Sequence, residues 1–538
     1  MSVERCLRYF HTVRYLKFQQ VIGRIHRRFK KVDIRPVLSI ETRSPKHTFV
    51  PVRLNKRSML DDDRFVFLNE SGTLVDWNDQ QRSKLWLYNL HYFDDLNSLD
   101  ARDRFNAHCA LVDRWINENP LGAGNGWEPY PISLRVVNWF KWFLVHGNAT
   151  EKQLESLALQ AKVLAQTLET HLLGNHLFAN AKALLFAGLY FKGAEADKWL
   201  ACALELLARE IPEQIHDDGG NFELTPMYHA TITADLLDIV SLLSSYQDNR
   251  CRVLEEECRK RLPGMLQWLA VMTHPDGYVS LFNDSAIDIA PTLAQLVVAA
   301  KSLGVSLPPV IQNTLVHLGS SGYFRLNLED AVLIGDIGRV GPDYIPGHAH
   351  ADTLSFELSL FDQRLIVNSG TSLYGTSEER VRQRGTGAHS TVVVDAENSS
   401  EVWGGFRVAR RAKPFGVVLD EKEGIVRCSH DGYKRLSGKP IHTREWRYGK
   451  HSVCIVDTIT GRFGSAEARY HLHPAWEYEL IGNTLLCRLD GRVAKLKIKR
   501  GSSRLETSTY HPEFGARIDN QVLVVSLKHG CAEVEIGW

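Results

Sequence analysis

No CxxC pair occurs among the nine cysteines of this 538-residue chain, and nine is an odd number. That excludes a disulfide framework or a zinc knuckle of ordinary spacing and leaves scattered buried thiols. No segment approaches the roughly 18 consecutive apolar residues of a membrane span. The start of the chain lacks the apolar core of a secretory leader; residues 1–31 carry nine Lys or Arg instead. A reducing, cytoplasmic location is therefore expected. Charge of one sign is missing too: 64 basic against 63 acidic residues give +1. That argues against a nucleic-acid partner and leaves room for a locally basic cleft. There is no Gly-rich phosphate loop, no GxSxG elbow, no setting for a Cys nucleophile and no fixed-period repeat.

What is present reads as a soluble, multidomain α+β protein, with 44% apolar and 24% charged residues. Residues 1–82 form a basic N-terminal helix and an irregular connector with a short strand near RFVFLN. In the helix, Leu7, Phe10, Tyr15, Phe18, Ile22, Ile25 and Phe29 follow helical spacing. Such a helix either touches a membrane surface or partner, or packs on its own domain with the basic face in solvent. The second is the expectation here. From 83 to 318 apolar residues recur at three and four spacing in segments broken by Gly, Asn, Asp or Pro, which predicts a helical array, toroid or solenoid. The missing repeat disfavours a solenoid. Beyond Ser320 the period becomes two, and more than ten strand-like segments predict an antiparallel sandwich over 319–538.

The most informative stretch is Pro346-Gly347-His348-Ala349-His350-Ala351-Asp352, ahead of TLSFELSLF (353–361). Imidazoles at i and i+2 on extended backbone point to one side and can serve one site. Two further polar clusters lie in the helical region, Gly174-Asn175-His176 and DGGNFELTPMYH (218–229). Together with WEPYPISLRVVNW (127–139), LFND (281–284), VNSGTSLYG (367–375) and RGTGAHSTVVVD (384–395), these motifs resemble the heparinase II/III group of polysaccharide lyases over roughly residues 85–475. The resemblance implies an incomplete (α/α) toroid followed by a β-sandwich, and β-elimination on an acidic polysaccharide or oligosaccharide with proton abstraction at C5.

The residue types suit that reaction. The ionised uronate resists gaining charge, so a neutral donor such as Asn175, with His176, must hydrogen-bond it. A base then takes the C5 proton and an acid protonates O4. The resemblance gives these tasks to Tyr228 and His348, and Tyr228 serves as base if a nearby cation lowers its pKa from about 10. It also places His350, Asn368 and His389 at a divalent-metal site (Zn, or Ca/Mn). Asn368 stands where the family pattern has Asp, so Asp352 or Asp395 would have to help. Arg135, Trp127, Tyr130, Arg384 and Trp403 are candidate sugar contacts, and Arg380, Arg382 and Arg384 flank a loop ahead of His389. Asp217-Asp218 and Asn283-Asp284 are expected to make turns and caps. Two other functions use the same residues: a uronyl C5-epimerase, or a non-catalytic glycan-binding protein of cytoplasmic polysaccharide biosynthesis.

Overall fold

A computed structural model describes residues 3–37, 40–52, 55–147 and 149–538. The expected N-terminal helix is two helices, α1 (Val3–Val13) and α2 (Phe18–Phe29); its first two residues lie outside the described ones. No Gly or Pro breaks it. Tertiary contacts hold the break: the Arg411 guanidinium lies 4.1 Å over the Tyr15 ring, and Lys17 sits 3.7 Å over Tyr344 while paired with Glu213.

The helical domain runs from Lys84–Tyr92 to Leu293–Ser302. Gly174–Tyr190 is apolar almost all round and is buried between Pro129–His146 and Ala194–Gln214, which makes it the centre of the array. Local signals fix several ends. Thr150 closes a capping box on Glu151–Gln166, and Thr225 with Pro226 starts Pro226–Tyr246.

The sheet domain stacks a nine-stranded and an eight-stranded antiparallel sheet on one apolar core containing Phe324, Phe356, Trp446 and Tyr470. It begins at Leu315–Leu318, an edge strand within the stretch assigned to the helices. The last two strands divide between the sheets: Ile518–Ser526 joins the larger, Cys531–Gly537 the smaller. The arginine loop ahead of His389 is a helix, Glu378–Arg384, capped by Ser377. All nine thiols are unpaired, but only Cys251, Cys258, Cys428 and Cys487 are buried, and Cys6 is exposed.

Candidate active site in the interdomain cleft

A cleft of about 2210 Å³ lies between the two domains, and α1 and α2 form part of its wall. It is lined by Asn175, His176, Tyr130, Tyr228, His348 and Trp403, so six of the predicted residues meet there. Asn175 and Tyr228 reach it from the first turns of two helices. Leu173 and Gly174, at φ +67° and +56°, turn the chain sharply into Gly174–Tyr190 and bring Asn175 to the cleft. The Thr225 side chain accepts from the Tyr228 amide at 3.1 Å and fixes Tyr228 in the first turn of its helix.

His348 is the hinge of the arrangement. Its Nδ1 lies 2.9 Å from Asp284 Oδ2 and its Nε2 3.6 Å from Glu223 Oε2. A carboxylate can only accept, so Nδ1 donates to Asp284, while Nε2 faces the second carboxylate beyond hydrogen-bond distance. The Tyr228 ring stacks at 4.1 Å from His348, and its hydroxyl is 2.9 Å from that of Tyr374. Burial, helped by the neighbouring Tyr374 and Tyr130 and by Asp284, holds the Tyr228 phenol well above its ordinary pKa. The cation that would have activated it as a base is not there for it: Arg380 is bidentate on Asp284. Tyr228 is thus a protonated phenol. His176 pairs with Glu169 at 3.1 Å and stacks on Tyr130 at 4.4 Å.

Asp284, expected in a turn, instead organises the site. Fully buried, it accepts from Arg380, His348 and His350, while Asn283 before it takes the turn at φ +56°. Burial opposes its ionisation, but the Arg380 charge and these bonds hold its carboxyl well below the usual range. The twin imidazoles therefore share a carboxylate but not a surface: His348 faces the cleft, and His350 is sealed behind it. Asp218 does make turns, accepting from the Gly220 and Ser321 amides.

The three expected metal ligands do not converge. His350 Nδ1 faces His389 Nε2 at 3.2 Å, whereas Asn368 Oδ1 lies 3.1 Å from Nδ1, on the other side of the His389 ring. Asp352 accepts from the Asn283 amide, and Asp395 holds an exposed turn at Gly464 and Ser465. Among the described residues no group of three or more His, Cys, Asp or Glu could hold a metal. The residues present do not fit the ion. Turning the Asn368 amide, whose buried Nδ2 otherwise lacks a partner, gives a neutral chain from Asn368 through His389 and His350 to Asp284.

Three predicted sugar contacts are structural. Arg135 is wholly buried, donating to Gln160 Oε1 and to the Gly126 and His91 carbonyls and lying 3.9 Å over the Trp115 ring. Trp127 packs in the helical core. Arg384, also buried, donates to the Ala349 and Gly404 carbonyls and so braces the loop that carries His348. Trp403 lines the cleft, but its Nε1 is already bonded to Thr12. Sequence reasoning passed over Glu223, Tyr374 and Phe406. The first two lie inside motifs already singled out, NFELTPMYH and NSGTSLYG.

Buried neutral imidazoles carry a pH signature. Burial pushes His91 and His471 down to about 3 and His229 and His350 to about 4. Their unfolded value is about 6.5, so between about 6.5 and 4 the unfolded chain binds protons that the folded one refuses. Stability is predicted to fall steadily as pH drops from about 6.5, at about 1.4 kcal/mol per histidine per unit at most. Calorimetric unfolding at pH steps below neutrality checks this; a flat profile would contradict the burial.

A helical array joined to a two-sheet sandwich, with an amide, a phenol and an imidazole facing one cleft, defines a two-domain toroid–sandwich protein. The chain belongs to the heparinase II/III-like family: residues 76–301 match the heparinase II/III N-terminus and residues 311–537 the heparinase II/III-like C-terminal domain. It is 26% identical over 420 residues to a heparin-sulfate lyase of Pedobacter heparinus, covering 70% of this chain and 59% of that protein. A second, from Bacteroides stercoris, is 24% identical over 412 residues, 67% and 58% of the two chains. This chain thus spans less than two thirds of these relatives. Among solved structures, heparinase III superposes with a TM-score of 0.67 at 19% identity, over 86% of this chain and 79% of the other, so the fold is shared.

Proposed function

We infer that the protein is a polysaccharide lyase that cleaves uronic-acid polymers by β-elimination. The observation that carries this reading is the meeting of Asn175, Tyr228 and His348 in one cleft. The Asn175 amide, at a helix N-terminus, hydrogen-bonds the uronate so that charge can build on it. His348 Nε2 takes the C5 proton, and Asp284 and Glu223 flank the resulting imidazolium. The electron pair of the C5–H bond becomes the C4=C5 double bond. The C4–O4 bond breaks, and the Tyr228 hydroxyl gives O4 its proton. The protonated state of Tyr228, held by burial, supports the acid role for the phenol and the base role for His348.

The charge lining the cleft favours a sparsely charged polymer over a densely sulfated one. Seven Lys or Arg there face seven Asp or Glu. Five of the seven cations are already paired: Lys56, Arg57, Lys84, Lys141 and Lys182 with Asp288, Asp100, Glu128, Asp238 and Asp235. A panel of heparin, hyaluronan, unsulfated chondroitin, alginate and bacterial exopolysaccharides, followed by the ultraviolet absorbance of the unsaturated product, tests both points. Turnover is expected, with kcat/KM at least about tenfold higher on unsulfated polymers. Polymers left intact would overturn the lyase reading, and deuterium uptake at C5 without cleavage would assign an epimerase.

A further inference from the structure

The N-terminal helices are amphipathic the wrong way round for a segment folded onto its own protein. In α2, Phe18, Ile22, Ile25 and Phe29 follow i, i+4, i+7 and i+11 and share one face. Its two ends are turned outward, Phe18 78% and Phe29 76% exposed, while Ile22 is half-buried and Ile25 borders the cleft. The polar side does the docking. Gln20 is 2% exposed and donates to the Tyr344 carbonyl, Arg27 meets His171 at 2.7 Å, and a Cβ on Gly23 would lie 2.9 Å from the His171 nitrogen. In α1, Thr12 and Tyr9 contact Trp403 of the sheet domain while Leu7 and Phe10 stay exposed. Among the described residues, eight of the 26 exposed large apolar side chains fall within 3–29. That is a concentration in one short segment rather than even scatter along the chain.

Charge is gathered at the same place. Residues 1–31 hold nine Lys or Arg and one Glu, a net +8; with +1 for the whole chain, residues 32–538 carry −7. Apolar side chains standing out from two helices, in a segment of net +8 on an otherwise acidic molecule, are complementary to an anionic lipid surface. No helix is long and apolar enough among the described residues to cross a bilayer, so the contact is with the surface. We propose that α1 and α2 seat the protein on anionic membranes through Leu7, Phe10, Phe18 and Phe29. Val13, Val21 and Ile25 also line the cleft. The cleft mouth then opens beside the lipid, and the polymer it takes is one held close to a membrane. That last clause alone depends on the lyase reading.

Flotation of the full chain with vesicles tests the docking without any turnover. Phosphatidylcholine vesicles with about a third phosphatidylglycerol are expected to carry the protein upward, and pure phosphatidylcholine vesicles at least about tenfold less. Phe18→Glu with Phe29→Glu is expected to weaken binding at least about tenfold. These residues do not line the cleft, so activity on a soluble oligosaccharide should be unchanged. Arg28→Glu with Lys30→Glu is expected to weaken binding to the anionic vesicles only. Equal recovery with both lipids, or no flotation, would overturn the proposal. So would a dimer seen by light scattering that F18E/F29E dissolves while vesicles are ignored, which would give the face to a second copy of the chain. A lyase assay that fails while flotation succeeds would sink the function and leave the docking standing.

Discussion

Tyr228→Phe is expected to lower kcat at least about a hundredfold with little change in KM, while the protein unfolds at its normal temperature. The substitution removes one oxygen. The ring stays stacked 4.1 Å from His348, and the only hydrogen bond broken is the one to the Tyr374 hydroxyl. Loss of rate without loss of binding is what a group used only in the transition state produces. Tyr374→Phe breaks the same bond from the other side but leaves the Tyr228 proton in place, so its effect should stay within about tenfold. Acid and base can then be told apart. A synthetic uronide with fluoride at C4 needs no proton on its leaving group, and on it Y228F should recover to within about tenfold of wild type. His348→Ala should not recover. Near-normal turnover by Y228F on natural polymer would remove the phenol from the mechanism. Recovery by H348A but not Y228F would exchange the two roles.

The parts of this molecule that were legible beforehand are those where apolar residues face inward. The change of period near Ser320 marks the change from helices to sheets, and the central strand Ser452–Thr460 alternates strictly between buried and less buried positions, as does Ile441–Tyr448 up to Trp446. The four strands at the sheet edges escaped: Leu315–Leu318, Pro414–Asp420, Glu477–Ile481 and Ser502–Tyr510. An edge strand leaves more of itself in solvent, and the last three are largely exposed or half-exposed, so their period is blurred. A second class of miss has the opposite cause. Glu378–Arg384 buries Arg380, Gln383 and Arg384. A helix whose inward face is polar gives no apolar stripe to find, and its arginines look like solvent-exposed loop residues or ligand clamps. Arg135 misled in the same way: beside aromatic residues a guanidinium suggests a sugar site, yet its three acceptors all belong to the protein. Asn175, Tyr228 and His348 were readable because each sits in a motif with turn-forming neighbours, whereas Asp284 acquires its meaning only from three partners distant in sequence.

Asp284→Asn should be the most damaging single-atom change in the protein, and in two separable ways. Its carboxylate is fully buried and is, among the described residues, the only anion bonded to Arg380, itself fully buried. Removing that charge strands a guanidinium whose remaining bond is to the Gly405 carbonyl, a loss of about 3–5 kcal/mol. An amide keeps one accepting oxygen where the carboxylate has two, so His348 and His350 can no longer both be held and the His348 ring loses the charge that orients it. Turnover should fall about 10²–10⁴-fold. Adding Arg380→Met separates the effects: with both charges gone, much of the stability should return while activity stays lost. Denaturant unfolding of the three variants beside the lyase assay measures this, and recovery of both together would mean that Asp284 serves only the fold. The pH dependence follows from the sign of the shift. The Asp284 carboxyl is depressed in the folded state, so its contribution is complete above the unfolded value of about 3.9 and fades as pH falls through the folded one. The stability gap between wild type and D284N should therefore hold steady at neutral pH and narrow only in strong acid.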